Sequence, residues 1–362
     1  MNGDRAVEVA EVARTDTLRA RLAAWFDLST AAAIERTRAV IAANSRSLPR
    51  DRVQFFAPLY LSSPCANDCT YCGFRRSSRT PRSMLGPEQL LEEALILARQ
   101  GHRSIDLVTG EVPRDVFVDY VCRAVELVRA RTPIERVHLN LGALSTAQYR
   151  RLHDAGAVGY HLYQETYDAE VYQAVHPAGP KRDMAWRLEA PARAASGGFE
   201  SLGLGVLLGL AEPTEDLARL MEHAREVGRG RNELQLGFSL PRMQPAGPRS
   251  SPQTSALPRP AEPPGAGGPP IVPVGDREFV KAMLFLASEL PEAHLTLTTR
   301  EPPSIRNLLL PLCITKASAG VSVRPGGYSG RDAADQFEIR DRRSLPELVA
   351  LVEAHGKRAV YC

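Results

Sequence analysis

The stretch APLYLSSPCANDCTYCGF, residues 57–74, joins a short apolar run to a polar loop carrying three of the chain's six cysteines, Cys65, Cys69 and Cys72. The run APLYLSS (57–63) is bounded by a proline, as expected of a strand buried on both faces. The same texture recurs in SIDLVTG (104–110), RVHLNLG (136–142), VGYHLYQET (158–166) and SLGLGVLLG (201–209). ELQLGFS (233–239), HLTLTT (294–299) and CITKASAG (313–320) complete eight such runs. Between most of them lie amphipathic stretches with helical punctuation, such as PEQLLEEALILARQG, with proline at its start and glycine at its end. A helical crossover makes consecutive strands parallel, so the alternation predicts an α/β fold, a closed (β/α)8 barrel with its chemistry at the C-terminal strand ends.

Around this barrel, expected over 51–320, the sequence places a helical lead-in at 1–50 and an extension at 321–362 expected to pack on it. The extension holds the glycine-rich RPGGYSG and the amphipathic SLPELVALVEAHG. Residues 245–275 are proline-rich with no helical or strand period, and read as a disordered or extended surface insertion. A chain of 362 residues with 44% hydrophobic content can bury a large core, and its formal charge of +3 gives no field to draw nucleic acid or membrane. No secretory h-region and no long apolar span are present, so a soluble, cytoplasmic protein with reduced thiols is expected.

Three thiolates in eight residues select a soft or borderline metal. Structural zinc takes four ligands, usually as two paired halves, whereas Cys122, Cys313 and Cys362 stand alone and no histidine pair has ligand spacing. Three cysteines on an iron-sulfur cubane leave one iron open to a small molecule. Three merely apolar cysteines would be out of place among Asn67, Asp68 and Thr70. A CxxxCxxC loop after the first strand of a parallel barrel, with Phe74 two residues beyond, resembles the radical S-adenosylmethionine (SAM) enzymes. The resemblance implies a 4Fe-4S cluster on Cys65, Cys69 and Cys72, with SAM on the remaining iron and reductive cleavage to a 5′-deoxyadenosyl radical. It also implies SAM contacts from Tyr71, Phe74, Thr109, Gly110 and Glu111 (in LVTGE), Glu165 (in YQET) and Arg187 (in WRLE).

The set PLYLSSPCANDCTYCGF, LVTGE, YQETY, WRLEAPARAASGG, GLGVLLGL, LTTREPP, ITKASAGVSVRPGGYSG and QFEI resembles, in number and order, the 2-iminoacetate synthases. These are the ThiH-type tyrosine lyases of thiamine thiazole biosynthesis. The implied reaction breaks the Cα–Cβ bond of L-tyrosine, leaving 2-iminoacetate and p-cresol. The implied partners are a flavodoxin- or ferredoxin-type reductant and a thiazole synthase. Arg300 in TTRE and Ser318 in ASAG, at the ends of the last two strands, are the expected carboxylate holders, with Tyr163 and Gln164 lining the pocket. Tryptophan is the alternative substrate, and a non-catalytic metal or cluster protein the alternative class. Surface pairing for Arg187 and a Glu301 partner for Arg300 are the competing structural readings. Gly326 and Gly327 read as a turn beside Arg324, a lid charge, and His138 and His161 as satisfied core histidines. A second cluster in the C-terminal region is not expected, since only Cys362 lies there.

Overall fold

The computed structural model describes residues 16–44, 50–244, 272–331 and 333–361. The strands are β1 (Arg52–Ser62), β2 (Ser104–Thr109), β3 (Arg136–Asn140), β4 (Gly159–His161), β5 (Ser201–Gly205), β6 (Gln235–Ser239), β7 (His294–Leu297), β8 (Lys316–Ser318) and β9 (Arg358–Val360). β1 to β8 pair in chain order, every pair parallel, and β1 returns to both β8 and β2, which closes the barrel. The expected (β/α)8 architecture is therefore the observed one.

Strand alternation sorts the side chains. Leu59, Leu61, Ile105, Leu107, Val137, Leu139 and Leu202 point outward into one apolar layer with the helices that follow them. Each such side chain contributes roughly 1.5–3 kcal/mol by leaving water. The alternate residues, among them Pro58, Tyr60, Asp106, Val108 and Asn140, face the barrel interior and line its cavity. The layer outside holds the strands, and the layer inside is left for chemistry.

Several boundaries differ from the sequence reading. β1 begins at Arg52, five residues earlier than expected, because Arg52–Gln54 gain a partner in β9, a strand the sequence did not disclose. Of the expected 158–166 strand, the named β4 covers only Gly159–His161; beyond it Leu162 N and Gln164 N still donate to Gly203 O and Gly205 O (both 2.9 Å), and Glu165, at φ 75°, makes an isolated parallel bridge to Val206. Cys313, the first residue of CITKASAG, is the C-cap of the helix Pro303–Leu312, and the strand itself is Lys316–Ser318. Of the proline-rich insertion, residues 245–271 lie outside the described residues, as do residues 1–15 and Cys362.

After β8 the chain crosses the barrel mouth, where Arg340 N donates to Thr299 O (2.9 Å) and Gln336 N to Val323 O (3.0 Å). A buried ion pair, Arg306 Nη1 to Asp341 Oδ2 (2.8 Å), pins this crossing to the helix after β7. At the other end, helical residues 16–27 and Thr30–Ala43 pack on helix Asp276–Glu289, with Trp25 edge-on to Phe285 at 5.5 Å. No helix among the described residues is long and apolar enough to cross a membrane.

Candidate active site

The cysteine loop leaves the end of β1 and is clamped from two sides. Ala66 N donates to Glu111 O (2.9 Å) beyond β2, while Asp68 N and Thr70 N donate to Ala178 O and Val175 O (both 3.0 Å). Gly110 admits the loop: a β-carbon there would sit 2.0 Å from Pro64 O and 3.0 Å from the Cys65 β-carbon. The three cysteines are free, and all line one cavity at the C-terminal end of the barrel, while Cys122 and Cys313 lie outside it. Burial pushes the Cys69 thiol up to about 12, Lys181 pulling the other way, and burial likewise raises Cys65. Thiols so placed ionise at neutral pH only on a bound cation, which fits a metal centre better than a nucleophile.

The wall opposite β1 is charged. Glu111 takes Asn67 Nδ2 on Oε2 (2.7 Å) and Ala143 N on Oε1 (3.1 Å), with Arg187 Nη1 3.5 Å away. Arg187 also donates from Nε and Nη2 to Tyr163 O (3.0 and 2.7 Å) and is only 4% exposed. The surface-pair reading of Arg187 is thereby overturned. Glu165 receives Lys181 Nζ at 2.6 Å and lies 3.9 Å from Arg187 Nη2. Burial pushes the Glu165 carboxyl up, but Lys181, Arg187 and Arg300 outweigh it and hold the group below its usual range. Tyr71 donates its hydroxyl to His176 Nε2 (2.8 Å), whose Nδ1 is occupied by Tyr172 O. Phe74 packs edge-on to Tyr60 at 6.0 Å.

Across the mouth, the Arg300 guanidinium lies 3.5 Å over the Phe337 ring, with Ser318 on the same cavity wall. Glu301 does not hold Arg300; it grips Arg242 with both oxygens. The twelve residues expected to hold the cluster, SAM and the substrate carboxylate all line this one cavity, which leaves about 1380 Å³ free of protein atoms within its walls and mouth.

The comparisons agree with that geometry. The chain matches the Radical SAM superfamily over residues 59–224 and the Biotin and Thiamin Synthesis associated domain over 239–358. It is 31% identical over 327 residues to a 2-iminoacetate synthase of Escherichia coli, spanning 89% of this chain and 81% of that protein. The chain belongs to the 2-iminoacetate synthase family. The FeFe-hydrogenase maturase HydG of Carboxydothermus hydrogenoformans is similar in structure, with TM-score 0.79 and 29% identity over 99% of this chain and 82% of that one. Methylornithine synthase shares the fold, with TM-score 0.70 at 18% identity over 94% of each chain.

A 4Fe-4S cluster and SAM are the cofactors of this radical SAM family. The residues present suit both groups. Three unbridged cysteines supply the cluster's soft donors, and the buried Thr109 Oγ1 has no partner, a polar atom left over for a ligand. For a 2-iminoacetate synthase family member, the sequence reading missed several wall residues. Lys181 belonged to no motif, and its role follows only from a distant helical turn folding back under Glu165. Asn67 lay within the cysteine loop itself, and its dual grip on Glu111 and on Lys181 N (2.8 Å) was the overlooked signal. Gln336, which takes the Tyr60 hydroxyl (2.7 Å), and Phe337 come from the crossing segment.

Other expectations are corrected. Gln164 is buried but does not line the cavity. Arg324 pairs with Asp335 at 3.6 Å and does not line the cavity. Gly326 and Gly327 form a turn whose following amides, of Tyr328 and Ser329, are held by Glu93 at 3.0 and 2.6 Å.

Proposed function

We propose that this chain cleaves the Cα–Cβ bond of free L-tyrosine, giving 2-iminoacetate and p-cresol while SAM, two electrons from the reductant and one proton give 5′-deoxyadenosine and methionine. The observation that carries the reading is the single cavity joining the cysteine loop to Arg300 and Ser318. One end suits a cluster with an open iron, and the other suits an amino-acid carboxylate.

When bound, the cluster and SAM supply a one-electron route to abstraction of a hydrogen atom from the substrate. The chain's own residues do the rest. Cys65, Cys69 and Cys72 would hold the cluster. Thr109, Gly110 and Glu111 would border the amino group of bound SAM, while Glu165, which pairs with Lys181 and faces Arg187, would offer an acid for hydroxyls and Arg187 a cation for a carboxylate. Tyr71 and Phe74 wall the cofactor side. Arg300, flattened on Phe337, presents its fork to the substrate carboxylate, and Ser318 adds a hydroxyl. Val323, Gln336 and Phe337, on the segment that crosses the mouth, limit water.

The product's use in thiazole formation for thiamine, a flavodoxin- or ferredoxin-type electron donor, a thiazole synthase partner and a cytoplasmic setting belong to the same proposal. The test is anaerobic reconstitution followed by incubation with SAM, dithionite and tyrosine. Brown protein absorbing near 400 nm that releases p-cresol is expected. Colourless protein carrying stoichiometric zinc, or deoxyadenosine formed with tryptophan and not with tyrosine, would overturn the reading.

A further inference from the structure

The barrel interior below the rim is unusual. That space is ordinarily filled by Val, Ile and Leu. Here the inward positions include Asp106 on β2, His138 on β3, His161 on β4 and Lys316 on β8, all buried. Asp106 stands in register between Pro58 of β1 and His138 of β3. His161 Nδ1 donates to Asp106 Oδ2 at 3.1 Å, and the two imidazoles stack with centroids 5.3 Å apart and planes 25° from parallel.

Two strand glycines make room for those rings. A β-carbon on Gly159 would lie 2.3 Å from His138 Nδ1, and one on Gly203 would lie 2.5 Å from His161 Cδ2. Glycine inside a strand weakens it, so its presence at both contacts marks a built arrangement. Lys316, the buried ammonium nearby, is attracted to Asp106 and supplies the balancing positive charge from the chain itself. With that cation in place, the Asp106–His138–His161 group suits a polar recognition site better than a metal.

Asp106 lines the candidate active-site cavity, together with Phe56, Pro58, Tyr163 and Ser239. Ser239 is engaged by the Tyr163 hydroxyl, whereas the second Asp106 oxygen has no hydrogen-bond partner among the described residues. Asp106 sits three residues before Thr109, the last residue of β2, hence about 10 Å below the rim at strand rise. An amino acid whose carboxylate meets Arg300 at the rim sends its side chain down between apolar walls toward this carboxylate, which lies no deeper in the barrel than Ser318, since Asp106 pairs with Pro58 of β1 and Ser318 with Phe56.

We infer that Asp106, oriented by His161, accepts the hydrogen bond of the substrate's phenol and so selects a 4-hydroxylated ring over phenylalanine. The inference rests on the proposed tyrosine reading and deepens it. Asp106 is the group that touches substrate, and His161 is a positioning residue.

The test uses reconstituted holoprotein with SAM and no reductant, so that binding is read without turnover. Calorimetric titration with L-tyrosine and L-phenylalanine should show wild type preferring tyrosine by about 10- to 100-fold, the worth of one hydrogen bond to a buried charge. Asp106→Ala should weaken tyrosine by that factor and leave phenylalanine within about twofold. Asp106→Asn, isosteric and still an acceptor, should keep part of the preference. His161→Phe should reduce it, and the Asp106→Ala/His161→Phe double variant should lose no more than Asp106→Ala alone. Cluster absorbance and melting temperature identify any variant that has not folded, leaving Asp106→Asn to decide. A tyrosine-to-phenylalanine ratio unchanged in both Asp106 variants overturns the inference while leaving the tyrosine reading intact. Wild type that binds neither amino acid overturns both.

Discussion

The buried pair between Lys181 and Glu165 can be tested by removing its cation. Lys181 Nζ is 2.6 Å from Glu165 Oε1, and the two side chains are only 8% and 14% exposed. Breaking such a pair from one side strands a charge and costs about 3–5 kcal/mol. Arg187 Nη2 remains 3.9 Å from the same oxygen, which places the loss from Lys181→Met at the lower end, about 3 kcal/mol. For a chain of 362 residues that corresponds to a melting point lower by about 4 °C. The ionised Glu165 stabilises the fold above the ordinary glutamate pKa and loses that effect as pH falls through its depressed folded value. Without Lys181 that fall should begin at higher pH. The assay is thermal unfolding of the single variants Lys181→Met and Glu165→Gln and of the double variant. If the loss is a stranded charge, the double variant should recover most of it. A melting point unchanged in Lys181→Met, or two losses that simply add, would refute the coupling.

Other consequences can be measured alongside. Phe337→Leu removes the face on which Arg300 lies at 3.5 Å, so tyrosine affinity should drop about three- to tenfold, a stacking contribution near 1 kcal/mol, with cluster content unchanged. An unchanged dissociation constant would mean that Phe337 does not orient Arg300. His102, His176 and His294 are held neutral by burial, their pKa values lowered to about 4, 2 and 3. A lowered histidine pKa gives stability that is complete above about 6.5 and is lost as pH falls from there toward 4, each group contributing up to about 1.4 kcal/mol per pH unit. Melting temperature should therefore fall between pH 7 and 5, less steeply in His294→Asn. Equal slopes would contradict the assignment.

How much of this was legible before the structure depended on whether a residue acts through its neighbours in sequence. The barrel was readable because each strand carries its own apolar run and each helix its own punctuation. The cysteine trio was readable because all three donors sit in one loop. Arg300 and Ser318 were readable as strand-end residues of a barrel whose chemistry sits at that end. Lys181, Phe337 and Gln336 were not, because their places are set by segments returning from elsewhere, and nothing local distinguishes a returning lysine from a surface one. β9 escaped notice for a related reason: its three residues form a strand only because β1 extends past the barrel to meet them. His161 was read as a satisfied core histidine, and so it is, but the sequence did not disclose its partner. It is satisfied, as isolated buried histidines usually are, yet its partner is a carboxylate that opens on the cavity.

The vertical arrangement separates two tasks that one sequence must encode. Residues at the rim, on loops after β1, β2 and β4, meet a cofactor whose chemistry is fixed, and their side chains are tied to one another through Asn67, Glu111, Arg187 and Lys181. A change to any of these leaves another buried charge or amide without its partner, so this layer tolerates little. The floor, some three residues lower along β2, is joined to the rim mainly through strand backbone. Asp106 there bonds only to His161 among the side chains described, and no hydrogen bond among the described residues joins either to the cysteine loop. Substitutions at the floor can therefore change which side chain is accepted without disturbing how the cofactors are held. On this reasoning, a change of amino-acid preference within this architecture is to be sought first at Asp106, His138, His161 and Lys316, and only afterwards at the rim.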